Sequence, residues 1–181
     1  MRNLIVALLV VFSFSLGWSQ ENYSLSEEST LTVDGTSTLH DWTVTANSCR
    51  GALVLDADAF KEISFEADVA SIVSTRGATM DKKTHNALKK EEHPKVMFSA
   101  GNVAFSEGGN QAISGKLSVA GVAKDIVVMA DIKNSDANIK LSGSYKITLQ
   151  DYDMEPPKAM FGSIVVGDDV TVNFDLVFAK E

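Results

Sequence analysis

Apolar and polar positions alternate with a period of two along most of the chain. Val170, Val172, Phe174, Leu176 and Phe178 share one face of an extended segment, and Asp169, Thr171, Asn173 and Asp175 share the other. That pattern predicts a β-strand with one buried face. Leu141, Gly143, Tyr145, Ile147 and Leu149 repeat it against Lys140, Ser142, Ser144, Lys146 and Thr148, and Ile63, Phe65, Ala67 and Val69 repeat it against Glu62, Ser64, Glu66 and Asp68. Shorter alternations predict strands at Leu31 to Gly35, Trp42 to Ala46, Ala52 to Leu55, Val96 to Ala100, Ile113 to Gly121 and Ile126 to Lys133. Asp34-Gly35, Glu107-Gly108-Gly109-Asn110, Asn134-Ser135-Asp136 and Gly167-Asp168-Asp169 have the composition of tight reversals. Short connections make successive strands antiparallel neighbours. A one-faced sheet of this size must close on itself or stack on a second sheet, so periodicity leaves barrel and sandwich open.

One segment departs from the pattern. Between Thr79 and Glu92, Met80, Thr84, Ala87, Leu88 and Glu91 fall at helical spacing, which predicts a short amphipathic helix. Thr79 or Asp81 is expected to cap it, Lys89 and Lys90 to complement its last turn, and Pro94 to stop it. Its apolar side serves equally as a plug at one end of the sheet or a lid over a cavity. Small residues recur on the inward faces: Ala46, Ala67, Ala100, Gly115, Gly121 and Gly143. In a barrel of eight strands, just wide enough to be filled or to hold one small ligand, such a set favours ligand space. Any single glycine of the set is more readily a bulge or a corner.

Composition narrows the setting. Arg2, the apolar run Leu4 to Leu16, and Gly17-Trp18-Ser19 have the order of a secretory signal, and the run is shorter than the ~20 residues of a membrane-spanning helix. Residues 1–19 are therefore read as a signal peptide and 20–181 as one domain, periplasmic or secreted. The formal charge is −8 and Arg2 is the only charged residue before position 20, so the remainder is more acidic still. Such a surface disfavours nucleic acid as a partner. Cys49 is the single cysteine and reads as a small buried hydrophobe, so stability must come from apolar packing.

Candidate chemistry is sparse. His40, His85 and His93 have no metal-ligand spacing with one another or with Cys49, and no serine stands in a nucleophile-elbow context. No catalytic residue and no metal ligand is assigned. Glu62, Glu66, Asp68, Lys140 and Lys146 on the outward faces argue against a membrane-spanning barrel, whose outer band is apolar.

Three stretches carry a family resemblance. Met80-Asp81-Lys82-Lys83-Thr84-His85-Asn86-Ala87-Leu88-Lys89, running into His93-Pro94-Lys95-Val96-Met97-Phe98, resembles the signature of the YceI-like family. So does Pro156-Pro157-Lys158-Ala159-Met160-Phe161-Gly162, followed by Gly167-Asp168-Asp169-Val170. Gly35-Thr36-Ser37-Thr38-Leu39-His40-Asp41-Trp42 resembles the opening strand pair of the branch common in Bacteroidetes. The resemblance implies an all-β fold, an extended eight-stranded antiparallel lipocalin-like barrel with one short helix. It also implies periplasmic export and a polyisoprenoid ligand such as a prenyl quinone or prenyl phosphate.

On that reading the protein is a non-catalytic carrier, with no cofactor beyond its isoprenoid, lipid-like ligand. The alternatives are a structural or interaction barrel with a packed interior and a lipid-modifying enzyme. Homodimer and monomer are both open. The ligand-facing residues are expected to be Trp42, Val44, Ala46, Phe65, Ala67, Val69, Phe98, Ala100, Leu117, Val119, Tyr145, Ile147 and Phe174. Leu88 joins them from the helix, and Met160 and Phe161 from the second motif. Burying roughly ten carbons at about 0.8 kcal/mol each supplies about 8 kcal/mol before binding costs, so affinity is expected to follow tail length. An anionic head would have to stay near Arg76, Lys82, Lys83 or Lys158, and a neutral isoprenoid is expected to bind at least as well as its phosphate.

Overall fold

The structure, a computed structural model, describes residues 20–104, 108–159 and 163–181. The expected signal segment and Met160 and Phe161 lie outside the described residues. The strands are β1 (Glu21–Leu25), β2 (Thr30–Ser37), β3 (Trp42–Ala46), β4 (Cys49–Asp56), β5 (Ala59–Asp68), β6 (Ile72–Ser74), β7 (Lys95–Ala100), β8 (Val103–Ala104), β9 (Asn110–Val119), β10 (Val122–Asn134), β11 (Asn138–Thr148), β12 (Lys158–Ala159) and β13 (Ile164–Lys180). One helix, α1 (Ala78–Ala87), stands between β6 and β7.

Three of the barrel's staves are long strands broken in the middle. β1 and β2 both pair with β13, β3 and β4 pair in turn with β2 and β1, and β5 and β6 pair with β4 and β3. With β7, β9, β10, β11 and β13 they make a closed antiparallel barrel of eight strands, as the resemblance leads one to expect; of the barrel and the sandwich that the alternation left open, it is the barrel. Serines stitch the breaks. Val177 donates its amide to the Ser29 hydroxyl at 3.0 Å, Ser48 donates its amide to the Ser71 hydroxyl at 3.0 Å, and the Ser48 hydroxyl donates to Asp68 at 2.9 Å. Short hydroxyl side chains thus satisfy backbone groups that the interrupted ladder leaves over.

β10 pairs with β9 from Val122 to Asp131 and β11 with β13 over its whole length. β10 and β11 pair with each other only between Ala130–Asn134 and Ile139–Gly143. Above that point side chains fill the seam: Ile126, Tyr145 and Ile147 pack with Tyr152. Lys124 spans it, 3.5 Å from Asp151 and 5.6 Å from the Tyr152 ring centre.

The lower half is a packed core. Leu53, Phe60, Ile132, Ile139 and Phe178 are fully buried there beside Tyr23 and Leu55. Each fully buried side chain of this kind contributes about 2 kcal/mol of transfer free energy, enough to close this end without a disulfide. Ion pairs cover the outside, among them Lys140–Asp175 at 2.8 Å, Lys146–Asp169 at 2.7 Å and Lys95–Glu66 at 2.7 Å. Bonding to Lys146 and then to Thr148 holds the Asp169 carboxyl below its usual range. No described helix is long and apolar enough to cross a membrane.

Several local expectations are corrected. Asp34-Gly35 is not a reversal but lies inside β2, because the indole of Trp42 on the paired strand occupies the face where a Cβ on Gly35 would stand. Gly167-Asp168-Asp169 lies inside β13, where the pairing with β2 shifts register between Val166 and Val170. Gly121 is no inward mid-strand position: with Ala120 it forms the β9–β10 hairpin turn, both at positive φ, 49° and 87°. The helix ends at Ala87 rather than Glu92, and Lys89 beyond it takes a left-handed φ of 53°. Neither Thr79 nor Asp81 caps it. Gly77 is the N-cap residue, and the Asp81 carboxylate instead accepts the Ser74 amide at 2.7 Å, tying α1 to β6.

Candidate functional site

The upper half of the barrel encloses a cavity of about 320 Å³. Its wall follows from the strand alternation: Val33 and Leu31 from β2, Trp42 and Val44 from β3, Phe65 and Ala67 from β5, Phe98 from β7, Leu117 and Val119 from β9, Ile126 and Val128 from β10, Tyr145 and Ile147 from β11, and Val172 and Phe174 from β13. Ile63, Phe65, Ala67, Ile113, Ala130, Leu141 and Leu176 belong both to this lining and to the lower core, so they form the floor. Met80, Lys83, Thr84, Ala87 and Leu88 of α1 and its last turn cover one side of the mouth. Ser37, Leu39, His40, Pro157 and Lys158 complete the rim.

The lining runs along β13 from Val166 to Leu176, roughly 25 Å of barrel axis at ordinary strand rise and tilt. The cavity is therefore elongated along the barrel axis, a shape suited to a chain. The described lining contains no carboxylate, and its ionisable members other than Tyr145 are His40, Lys83 and Lys158. His40 is engaged on both ring nitrogens: Nε2 stands 2.9 Å from the Arg76 guanidinium and Nδ1 3.1 Å from the Asp41 carbonyl. No described group of three His, Cys, Asp or Glu residues converges on a metal site.

Of the residues assigned to the ligand by sequence, Trp42, Val44, Phe65, Ala67, Leu88, Phe98, Leu117, Val119, Tyr145, Ile147 and Phe174 line the cavity. Ala46, Val69 and Ala100 do not. Ala46 and Ala100 are half-buried and pack against the lower core without lining the cavity, and Val69 lies in the 3-10 turn Val69–Ser71 that interrupts the β5–β6 stave. Met160 and Phe161 fall outside the described residues. The small inward glycines open space only indirectly. A Cβ on Gly115 would meet the Phe98 ring at 2.5 Å, and one on Gly143 the Phe174 ring at 2.8 Å. Each glycine therefore leaves room beside the wall for an aromatic ring that a side chain there would displace. Sequence reasoning passed over Leu31, Val33, Val128 and Val172, which share faces already recognised, and Leu39, which no periodicity marks.

Cys49 is half-buried against the lower core, away from the cavity. Burial, and secondarily the Asp68 carboxylate, push its thiol up to about 11.

A closed antiparallel barrel around an elongated apolar cavity defines a class, the small β-barrels with an apolar interior. Within that class the chain belongs to the YceI-like family, whose domain matches residues 23–178. Comparison with curated protein sequences finds no match. Among solved structures it resembles Burkholderia cenocepacia BcnA, at 18% identity and a TM-score of 0.70 over 83% of this chain and 96% of that one. A polyisoprenoid binding domain from Saccharophagus degradans, implicated in plant cell wall breakdown, is similar at 17% identity and a TM-score of 0.71 over 88% and 98%. The Campylobacter jejuni YceI protein is similar at 23% identity and a TM-score of 0.59 over 74% and 81%. At these identities the likeness concerns the fold.

Proposed function

We propose that this protein is an exported, non-catalytic carrier that holds a lipid-like, isoprenoid-type chain in its upper cavity, in the periplasm or after secretion. The observation that carries the reading is the slender, carboxylate-free apolar slot ending on a packed floor. Family membership agrees with it, and so does the polyisoprenoid binding described for the Saccharophagus degradans domain of the same fold. A barrel serving only as structure or interaction module would have no use for this space. A lipid-modifying enzyme of the carboxylate type would need an acid or base at the slot, whereas the described lining holds no carboxylate and its imidazole, His40, contacts Arg76 and the Asp41 carbonyl.

The test has two parts. Native mass spectrometry of protein purified after export, followed by lipid extraction, is expected to show a long apolar chain bound one to one. Delipidated protein titrated with a prenyl quinone is expected to change the emission of Trp42, a signal absent from Trp42→Phe. Ala67→Phe places a ring at the floor of the slot and is expected to abolish this binding while the far-ultraviolet spectrum stays that of a barrel. Full binding by the folded Ala67→Phe protein would place the ligand elsewhere.

A further inference from the structure

The lysines and arginines of this acidic protein are not distributed evenly with respect to their partners. Arg50, Lys95, Lys116, Lys140, Lys146 and Lys180 each stand 2.7 to 3.1 Å from a carboxylate oxygen. The other paired cations do so at up to 3.8 Å. Among the described residues five cations have no carboxylate within ion-pair distance: Arg76, Lys82, Lys83, Lys89 and Lys158. Four of them stand on or beside α1 and the fifth on β12, and Lys83 and Lys158 both line the cavity mouth. With 24 acidic residues against 16 basic ones, composition alone would leave acids over, not cations.

Resting on the carrier reading above, we infer that the ligand is an amphiphilic anion whose phosphate or carboxylate head is held at the mouth by Lys83 and Lys158 while its apolar tail fills the slot. Ammonium groups are compact charges with three donors, suited to the oxygens of either head. At the rim they remain partly hydrated, so holding an anion there avoids the cost of burying a charge in the apolar barrel. The absence of carboxylates from the described lining leaves the tail's path free of repulsion for such a head. Arg76 adds a third positive charge behind them, with His40 occupying only one of its donors. This reverses the head-group preference expected from sequence, which took the overall negative charge as decisive. Among the described residues, Lys83 and Lys158 at the mouth are cations without a carboxylate at ion-pair distance.

The experiment compares heads on equal tails in the delipidated full barrel: geranylgeranyl phosphate against geranylgeraniol, and hexadecanoate against hexadecanol. The anion of each pair is expected to bind about tenfold tighter in dilute buffer. That advantage should shrink as salt rises to about 0.5 M, because rim charges are screened. Lys83→Gln with Lys158→Gln is expected to bring the anion down to the level of the alcohol, leaving alcohol affinity and melting temperature unchanged. Alcohols binding as tightly as their anions, or a double variant that weakens both alike, overturns the head-group assignment and leaves the carrier reading standing. Failure of all four compounds to bind overturns both.

Discussion

At the scale of single residues, the cavity owes its shape to contacts between glycines and rings. An ideal Cβ on Gly35 would stand 2.2 Å from the Trp42 indole, whose Nε1 donates to the Thr36 carbonyl at 3.0 Å. Gly35→Ala is expected to lift the indole off the wall and turn it into the slot, costing about 1–3 kcal/mol of stability as overpacking does. A shifted Trp42 emission together with lost ligand binding would show this, whereas unchanged binding would mean that the ring finds room elsewhere. Cys49 gives a second expectation. The thiolate is the reactive form, so a thiol pushed up to about 11 should be alkylated slowly near pH 8 in the folded protein and faster as the pH climbs towards that value. The folded state keeps this proton in a window, from the ordinary 9.0 to about 11, where the unfolded chain has lost it. Stability contributed by the buried neutral thiol is therefore present below that window and falls as pH rises through it. Tyr23 and Tyr152, both pushed up to about 12 chiefly by burial, extend the decline to higher pH. Rapid alkylation of the folded protein near pH 8 would contradict the buried placement.

At the scale of elements, the helix and the broken staves decide what the barrel can do. α1 has no fully buried residue, and it is tied to β6 by the Asp81 bond to the Ser74 amide and by the 2.9 Å contact of His85 Nε2 with the Ile72 carbonyl. None of its residues is fully buried and several line the mouth, so removing residues 79–92 in favour of a short Gly/Ser linker should release ligand more than it lowers stability. Equal losses, read by ligand off-rate and thermal melting, would make the helix a plug. Much of this level was legible. Trp42–Ala46 was read to the residue, and most other strands contain the alternation that predicts them. The errors share a cause: Asp34-Gly35 has the composition of a hairpin, and pairing with β13 on one side and β3 on the other, with the ring of Trp42 over Gly35, keeps it extended. Likewise the helix stops at Ala87 because the chain bends at Lys89, a choice that no cap residue announces.

At the scale of the whole molecule, alternation tells which side chains point inward but not how far along the axis they stand. Ala67 and Ala100 look equivalent in sequence, yet one lines the slot and the other packs against the core beneath it. Height is set by the stagger of all eight strands together, and no local pattern encodes it. The seam between β10 and β11 escapes the sequence for a similar reason, since both strands keep their period of two past the point where their mutual pairing ends at Ala130 and Gly143. The floor, by contrast, follows directly from the crowding of Ile113, Leu141 and Leu176 over Phe178 and Ile132. If the head is held at the rim, the distance down to that floor acts as a gauge, and selection among ligands becomes a matter of counting carbons. A tail that just reaches Leu141 fills the slot. A shorter one leaves apolar wall unmatched, and a longer one must double back or keep its surplus outside. Trimming Ile113 or Leu141 would then move the mark on the gauge and change which length fits best, with little effect on how firmly the head is gripped.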